Sequence, residues 1–185
     1  MFTPTLDDDA NNLLNRDPLA LLIGMLLDQQ IQVEKAFIAP LRLKERLDVA
    51  FNAKTISTIS PERLKEIFAI YPALHRFPAL MSERTHNLCS IISVKYHNNP
   101  SEIWDMSNSA RDIFNNLNNL PGFGEEKSKI FIALLGKQFN LRPRNWAQIS
   151  SPYGERGTFI SVADVNSPEA LNLVKEFKRS LKAKK

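Results

Sequence analysis

The sequence predicts an all-α protein, on three observations. Helix-start signatures recur: Asp17-Pro18, Ser60-Pro61-Glu62 and Ser167-Pro168-Glu169 each pair an N-cap oxygen with a proline at the first helical position, where its missing N–H costs nothing. Apolar residues between these signatures return at helical spacing. No run before Arg142 alternates as a strand does. With 185 residues, 43% of them apolar, the chain can bury a real core, and at about 150 residues per domain it makes one domain or two lobes.

The acidic opening, with Asp7, Asp8 and Asp9, stands where a secretory leader would carry Lys or Arg. After Asp17-Pro18, a helix from Leu19 to Gln30 is almost wholly apolar and therefore buried on most sides. It ends in Asp28-Gln29-Gln30, three polar groups that must find partners at the surface or line a site. Val33 to Leu47 is a second amphipathic helix, which Pro40 should kink or split. A helix from Ser60-Pro61 to Ala69 stops at Tyr71-Pro72. Phe77-Pro78 opens the next, along which Leu80, Arg84, Leu88, Ile91, Ile92 and Tyr96 recur. Another spans Ser109 to Leu117.

Residues 140–165 differ in kind. Pro143, Pro152, Gly154 and Gly157 break any period, and Trp146 and Tyr153 stand among Arg142, Arg144 and Arg156. A long excursion of this composition suits backbone contact and base stacking on nucleic acid. Ser167-Pro168-Glu169 then caps a last helix to Leu181, whose tail carries Lys175, Lys178, Arg179, Lys182, Lys184 and Lys185. Those cations form either a solvated face or a phosphate-contacting one.

Composition excludes several classes. The longest early apolar run, Pro18 to Leu27, is about half a membrane span, so neither a transmembrane helix nor a membrane partner is expected and the chain is read as cytoplasmic, nucleoid-associated if bacterial. The single cysteine, Cys89, permits no intramolecular disulfide or four-thiolate cluster and is assigned to the core. His75, His86 and His97 lie 11 residues apart, too far for a helical metal pair, and are read as surface or core residues. A net charge of +4 permits an anionic partner without requiring one.

The most informative stretch is Leu120-Pro121-Gly122-Phe123-Gly124, with helical sequence on both sides. Glycines at 122 and 124 can take positive φ and let the turn approach another backbone, while Leu120 and Phe123 plug back between the helices. The first amides of the second helix are then unpaired and face outward, a phosphate site made of backbone dipoles. Small Ser128 stands where the helices cross. This string resembles the helix-hairpin-helix motif of the base-excision DNA glycosylase superfamily, endonuclease III-like, and Leu26-Leu27-Asp28-Gln29-Gln30 is similar to that family's early helix end.

The resemblance implies a helix-hairpin-helix glycosylase fold of two helical lobes with a DNA-binding cleft between them. Residues 1–18 together with 140–185 would form one lobe, and 19–139, ending in the hairpin at 109–139, the other. It implies a base-excision repair protein, a monofunctional glycosylase that flips and releases a damaged or mispaired base, acting as a monomer on damaged or abasic double-stranded DNA. The alternative is a non-catalytic module binding distorted or abasic DNA. Gln30 would fill the gap left by the flipped nucleotide, with Gln29 and Asp28 near the base; helix capping is the other reading of the glutamines. Lys127, Lys129, Arg142 and Arg144 join Leu120, Gly122, Phe123 and Gly124 as DNA contacts. The family's lysine nucleophile would fall at Glu126, and Lys127 is rotated by about 100° on the helix, so no lyase activity is expected. Asp164 is the carboxylate that would assist bond cleavage, with Asp28 second; Asp164 is otherwise a loop residue near the last helix. No cofactor and no iron-sulfur cluster are expected, and no side-chain metal site, although carbonyls of Leu120 and Gly122 could hold a monovalent cation.

Overall fold

A computed structural model describes residues 1–105 and 109–183, and its regular elements are all helical. Among the described residues no helix is long and apolar enough to cross a membrane. Lys184 and Lys185 of the basic tail lie outside the described residues.

One compact unit comprises Asp7–Ile103 with Leu120–Gly122. Its first helix, α1 (Asp8–Arg16), explains the acidic opening: the Asp7 carboxylate accepts the Ala10 N–H at 2.9 Å, and Asp8 and Asp9 sit in the first turn, where they favour the helix dipole. In α2 (Pro18–Leu27) every residue from Leu19 onward is buried, and the Asp17 carboxylate accepts the N–H groups of Leu19 and Ala20. The helix stops at Leu27, three residues short of the expected Gln30, because Asp28 leaves helical geometry and Gln30 turns to φ 56°. Pro40 neither splits nor ends α3 (Val33–Arg46). A helix-interior proline costs about 3 kcal/mol. Burial of Val33, Ala36, Phe37, Ala39 and Leu43 on the same helix outweighs that cost. A short α4 (Ala53–Ser57), unmarked in the sequence, packs on α6 (Pro78–Lys95), as does α5 (Pro61–Ala69). Cys89 is fully buried, and burial pushes its thiol up.

The other unit comprises Met1–Leu6, Trp104–Asn119 and Phe123–Lys185. Ser109 and Asp112 form a reciprocal capping box at the start of α7 (Ala110–Asn118), which packs on α8 (Glu125–Gln138). The short α9 (Trp146–Ile149) and a 3₁₀ turn, Val162–Asp164, both lie against α8, and α10 (Pro168–Ala183) packs on that turn.

The division therefore falls elsewhere than between 19–139 and the two chain ends. Residues 8–16 join α2 and α3 because Ala10 and Leu14 are buried on that side of α1. α8 belongs with the C-terminal residues because Gly136 leaves room for the Trp146 ring, whose atoms would lie 2.4 Å from an added Cβ. The 140–165 excursion is thus docked along α8 rather than looped outward. Trp146, expected to stack on nucleic acid, is held in place by that packing and stays half-buried.

Candidate nucleic-acid interface

Gly122 and Gly124 both take positive φ, 74° and 79°, as the hairpin reading requires. Leu120 and Phe123 are 4% and 6% exposed, and the Phe123 ring meets Phe131 edge-on at 6.0 Å. These two side chains are therefore core plugs, and any ligand at 120–124 would meet backbone; their expected role as DNA contacts is corrected to that extent. Buried Ser128 donates its hydroxyl to the Gly124 carbonyl at 2.7 Å.

The first turn of α8 carries Glu125 and Glu126, acids that would repel a phosphate. Each is engaged. Lys129 lies 2.7 Å from Glu125 and holds that carboxyl below the usual carboxylate range. The Tyr153 hydroxyl donates to Glu126 at 2.8 Å; burial, reinforced by this carboxylate, pushes the phenol up to about 12. Tyr153 is thereby tied to α8, so it is not a stacking platform. Lys127 lies over the Phe123 ring at 5.9 Å. Arg142 is exposed but donates Nε to the Gly136 carbonyl at 2.9 Å, and Arg144 is exposed.

In the Asp7–Ile103 unit the structure brings two predicted features together. A Cβ on Gly122 would lie 2.6 Å from Leu26 Cδ1 and 3.2 Å from Arg84 Cδ, so the hairpin glycine lies against the last turn of α2. Arg84 in turn donates to Gln29 Oε1 at 2.9 Å, and Gln29 Nε2 donates to the Leu26 carbonyl at 2.7 Å. His75 completes the support: its Nδ1 accepts the Phe77 N–H, so Nε2 carries the proton and donates to the Gln29 carbonyl at 3.0 Å. Gln29 is thus fixed through its side chain and its backbone, and is a latch rather than a free contact. Gln30, next in sequence, is exposed at φ 56°, a conformation costing an L-residue roughly 1–2 kcal/mol. Among the described residues its amide makes no hydrogen bond. A strained, unengaged polar side chain held out by a rigid neighbour is a common functional arrangement. Asp28 is the C-cap of α2, its N–H donating to the Gly24 carbonyl.

Asp164 is 7% exposed and closes the 3₁₀ turn's capping box. Its carboxylate accepts Lys137 Nζ at 2.5 Å and the N–H groups of Ile160 and Ser161 at 2.9 and 3.1 Å. Beside it opens a pocket of about 270 Å³ lined by Lys137, Arg142, Trp146, Arg156 and Phe159 among others.

Sequence reasoning missed Arg84, His75 and Lys137. Arg84 left one signal, a charge at a core-facing helical position. His75 and Lys137 left none, because their partners lie 46 and 27 residues away. Among the described residues no group of three or more His, Cys, Asp or Glu could hold a metal ion. Comparison with protein-family models, with curated proteins and with solved structures gives no match to this chain.

Proposed function

We propose that this chain is a duplex-DNA-binding repair protein of the helix-hairpin-helix base-excision type, which grips the backbone at 120–124 and engages a site where a nucleotide leaves the stack. The observation that carries the reading is the seating of Gly122 at positive φ against Leu26 and Arg84, beside the latched Gln29 and exposed Gln30. A phosphate held by backbone amides of the hairpin turn positions a duplex without reading its sequence. The exposed Gln30 amide, in the same unit as Gly122, suits the space vacated by an extruded base. The carbonyls of Leu120 and Gly122 accept no backbone hydrogen bond among the described residues, which suits the monovalent cation the resemblance implies. Such an ion would offset charge between loop and phosphate.

Base release without lyase chemistry is the second reading, favoured by the pocket beside Asp164. In it the carboxylate would stabilise positive charge growing on the sugar and water would be the nucleophile. Lys137 already neutralises that carboxylate, which weighs toward recognition without chemistry.

Fluorescence anisotropy on an abasic duplex, at stated salt, tests the binding reading. Gly122→Val should abolish binding in a chain that keeps its helical circular dichroism, and retained affinity would overturn the assignment. Base release over a panel of damaged duplexes, with Asp164→Asn alongside, tests the second reading. Borohydride trapping should give no covalent adduct.

A further inference from the structure

The pocket beside Asp164 is built entirely from residues 137–166, and of its cations and rings the duplex-binding reading draws on Arg142 alone. Its floor is an ion pair whose side chains are 12% and 3% exposed for Lys137 and Asp164. Asp164 already accepts from Lys137 and two backbone amides, which take most of its acceptor capacity. Lys137 is not: its ammonium has three N–H groups, and Asp164 and the Thr158 hydroxyl take two. The third belongs to a side chain lining the cavity.

The walls carry Arg142 and Arg156. Arg142 uses Nε on the Gly136 carbonyl, which leaves its terminal nitrogens for a ligand. With Lys137 against Asp164, three cations face one anion, a net +2. Two aromatic rings complete the lining. Trp146 is fixed against Gly136, where no side chain has room, and Phe159 is 39% exposed. Stacking surface, a surplus of donors and net positive charge in one cavity match an anionic heteroaromatic ligand. At 270 Å³ the cavity lies just under the ordinary ligand range of about 300–1,000 Å³, room for a single base with its phosphate at the mouth.

We propose that this pocket binds one nucleoside monophosphate bearing a keto base. The ring stacks on Trp146 and Phe159, the phosphate pairs with Arg142 and Arg156, and Lys137 donates to the ring carbonyl. An amino group at that position would set donor against donor, so guanine is preferred to adenine. The site goes beyond duplex binding and is separable from it.

The test is isothermal titration of the full chain with GMP, AMP and inorganic phosphate. The expected result is saturable one-to-one binding of GMP with a Kd below about 1 mM, ahead of AMP. Arg156→Gln and Phe159→Ala, both at exposed positions, should each weaken GMP by about tenfold, the loss typical of one stacked base or charged contact. Gln30→Gly, which should weaken duplex binding without loss of stability, should leave GMP binding intact, so the two readings can fail independently. Absence of saturable heat, AMP binding as tightly as GMP, or phosphate binding as tightly as GMP would each overturn the proposal. Unchanged affinity in both rim variants would overturn it as well.

Discussion

Replacing Gly122 by alanine should cost far more than its position in a surface turn suggests. At φ 74° an L-residue carries roughly 1–2 kcal/mol of backbone strain. The added Cβ would also stand 2.6 Å from Leu26 Cδ1 and 3.2 Å from Arg84 Cδ. Arg84 can move; Leu26, with no exposed surface, cannot do so without disturbing the core. Overpacking of that kind adds about 1–3 kcal/mol, for a total of roughly 2–5 kcal/mol. Gly124 is the internal control. It sits at φ 79°, ψ 175°, a region nearly reserved for glycine, but no atom lies within 4 Å of its Cβ position. Gly124→Ala should therefore cost only the backbone strain, about 1–3 kcal/mol. Urea denaturation reads both as midpoint shifts at constant slope. Truncating Leu26 to alanine in the Gly122→Ala background should cost less than in wild type, because it removes the clash. A Gly122→Ala midpoint at or above the wild-type value, or no coupling to Leu26, would refute the packing argument.

Three further outcomes follow from the same contacts. Lys137→Met should destabilise by about 3–5 kcal/mol, since it strands a buried carboxylate, and Lys137→Met with Asp164→Leu should recover part of the loss; a silent single variant in urea melts would contradict this. Gln30→Gly should raise stability by about 1 kcal/mol through relief of the positive φ while weakening affinity for an abasic duplex, and a stability loss would show that Gln30 is held by packing. Burial, reinforced by Glu126, pushes the Tyr153 phenol up to about 12 against 10.0 ordinarily, so the stability that its protonated form contributes is fully present below pH 10 and is lost as pH rises through 12. The difference in thermal midpoint between wild type and Tyr153→Phe should shrink across that window, and a constant difference would contradict the assignment.

Local rules made much of this fold legible. Proline-and-cap signatures at Asp17, Ser60 and Ser167 mark real helix starts, and the two hairpin glycines take the conformation that their spacing requires. What local pattern could not reach depended on distant partners. Asp7, Asp8 and Asp9 read only as an acidic opening, and their helix is evident once Ala10 and Leu14 are buried against α2 and α3. Trp146 and Tyr153 look like a stacking surface until Gly136 makes room for one and Glu126 accepts from the other. The candidate site divides the same way. Gly122 was readable from spacing and Gln30 only through the resemblance, whereas the Arg84 and His75 contacts that fix Gln29 exist only once α6 packs beside α2.

The most direct measurement is a titration of isotopically labelled protein with a short abasic duplex, followed by backbone amide resonances. The amides of Gly122, Gly124 and Glu125 should shift first and saturate together with Gln30. If those resonances stay fixed while the duplex binds through another surface, or if no amide moves at all, the hairpin is a structural turn and the DNA assignment fails.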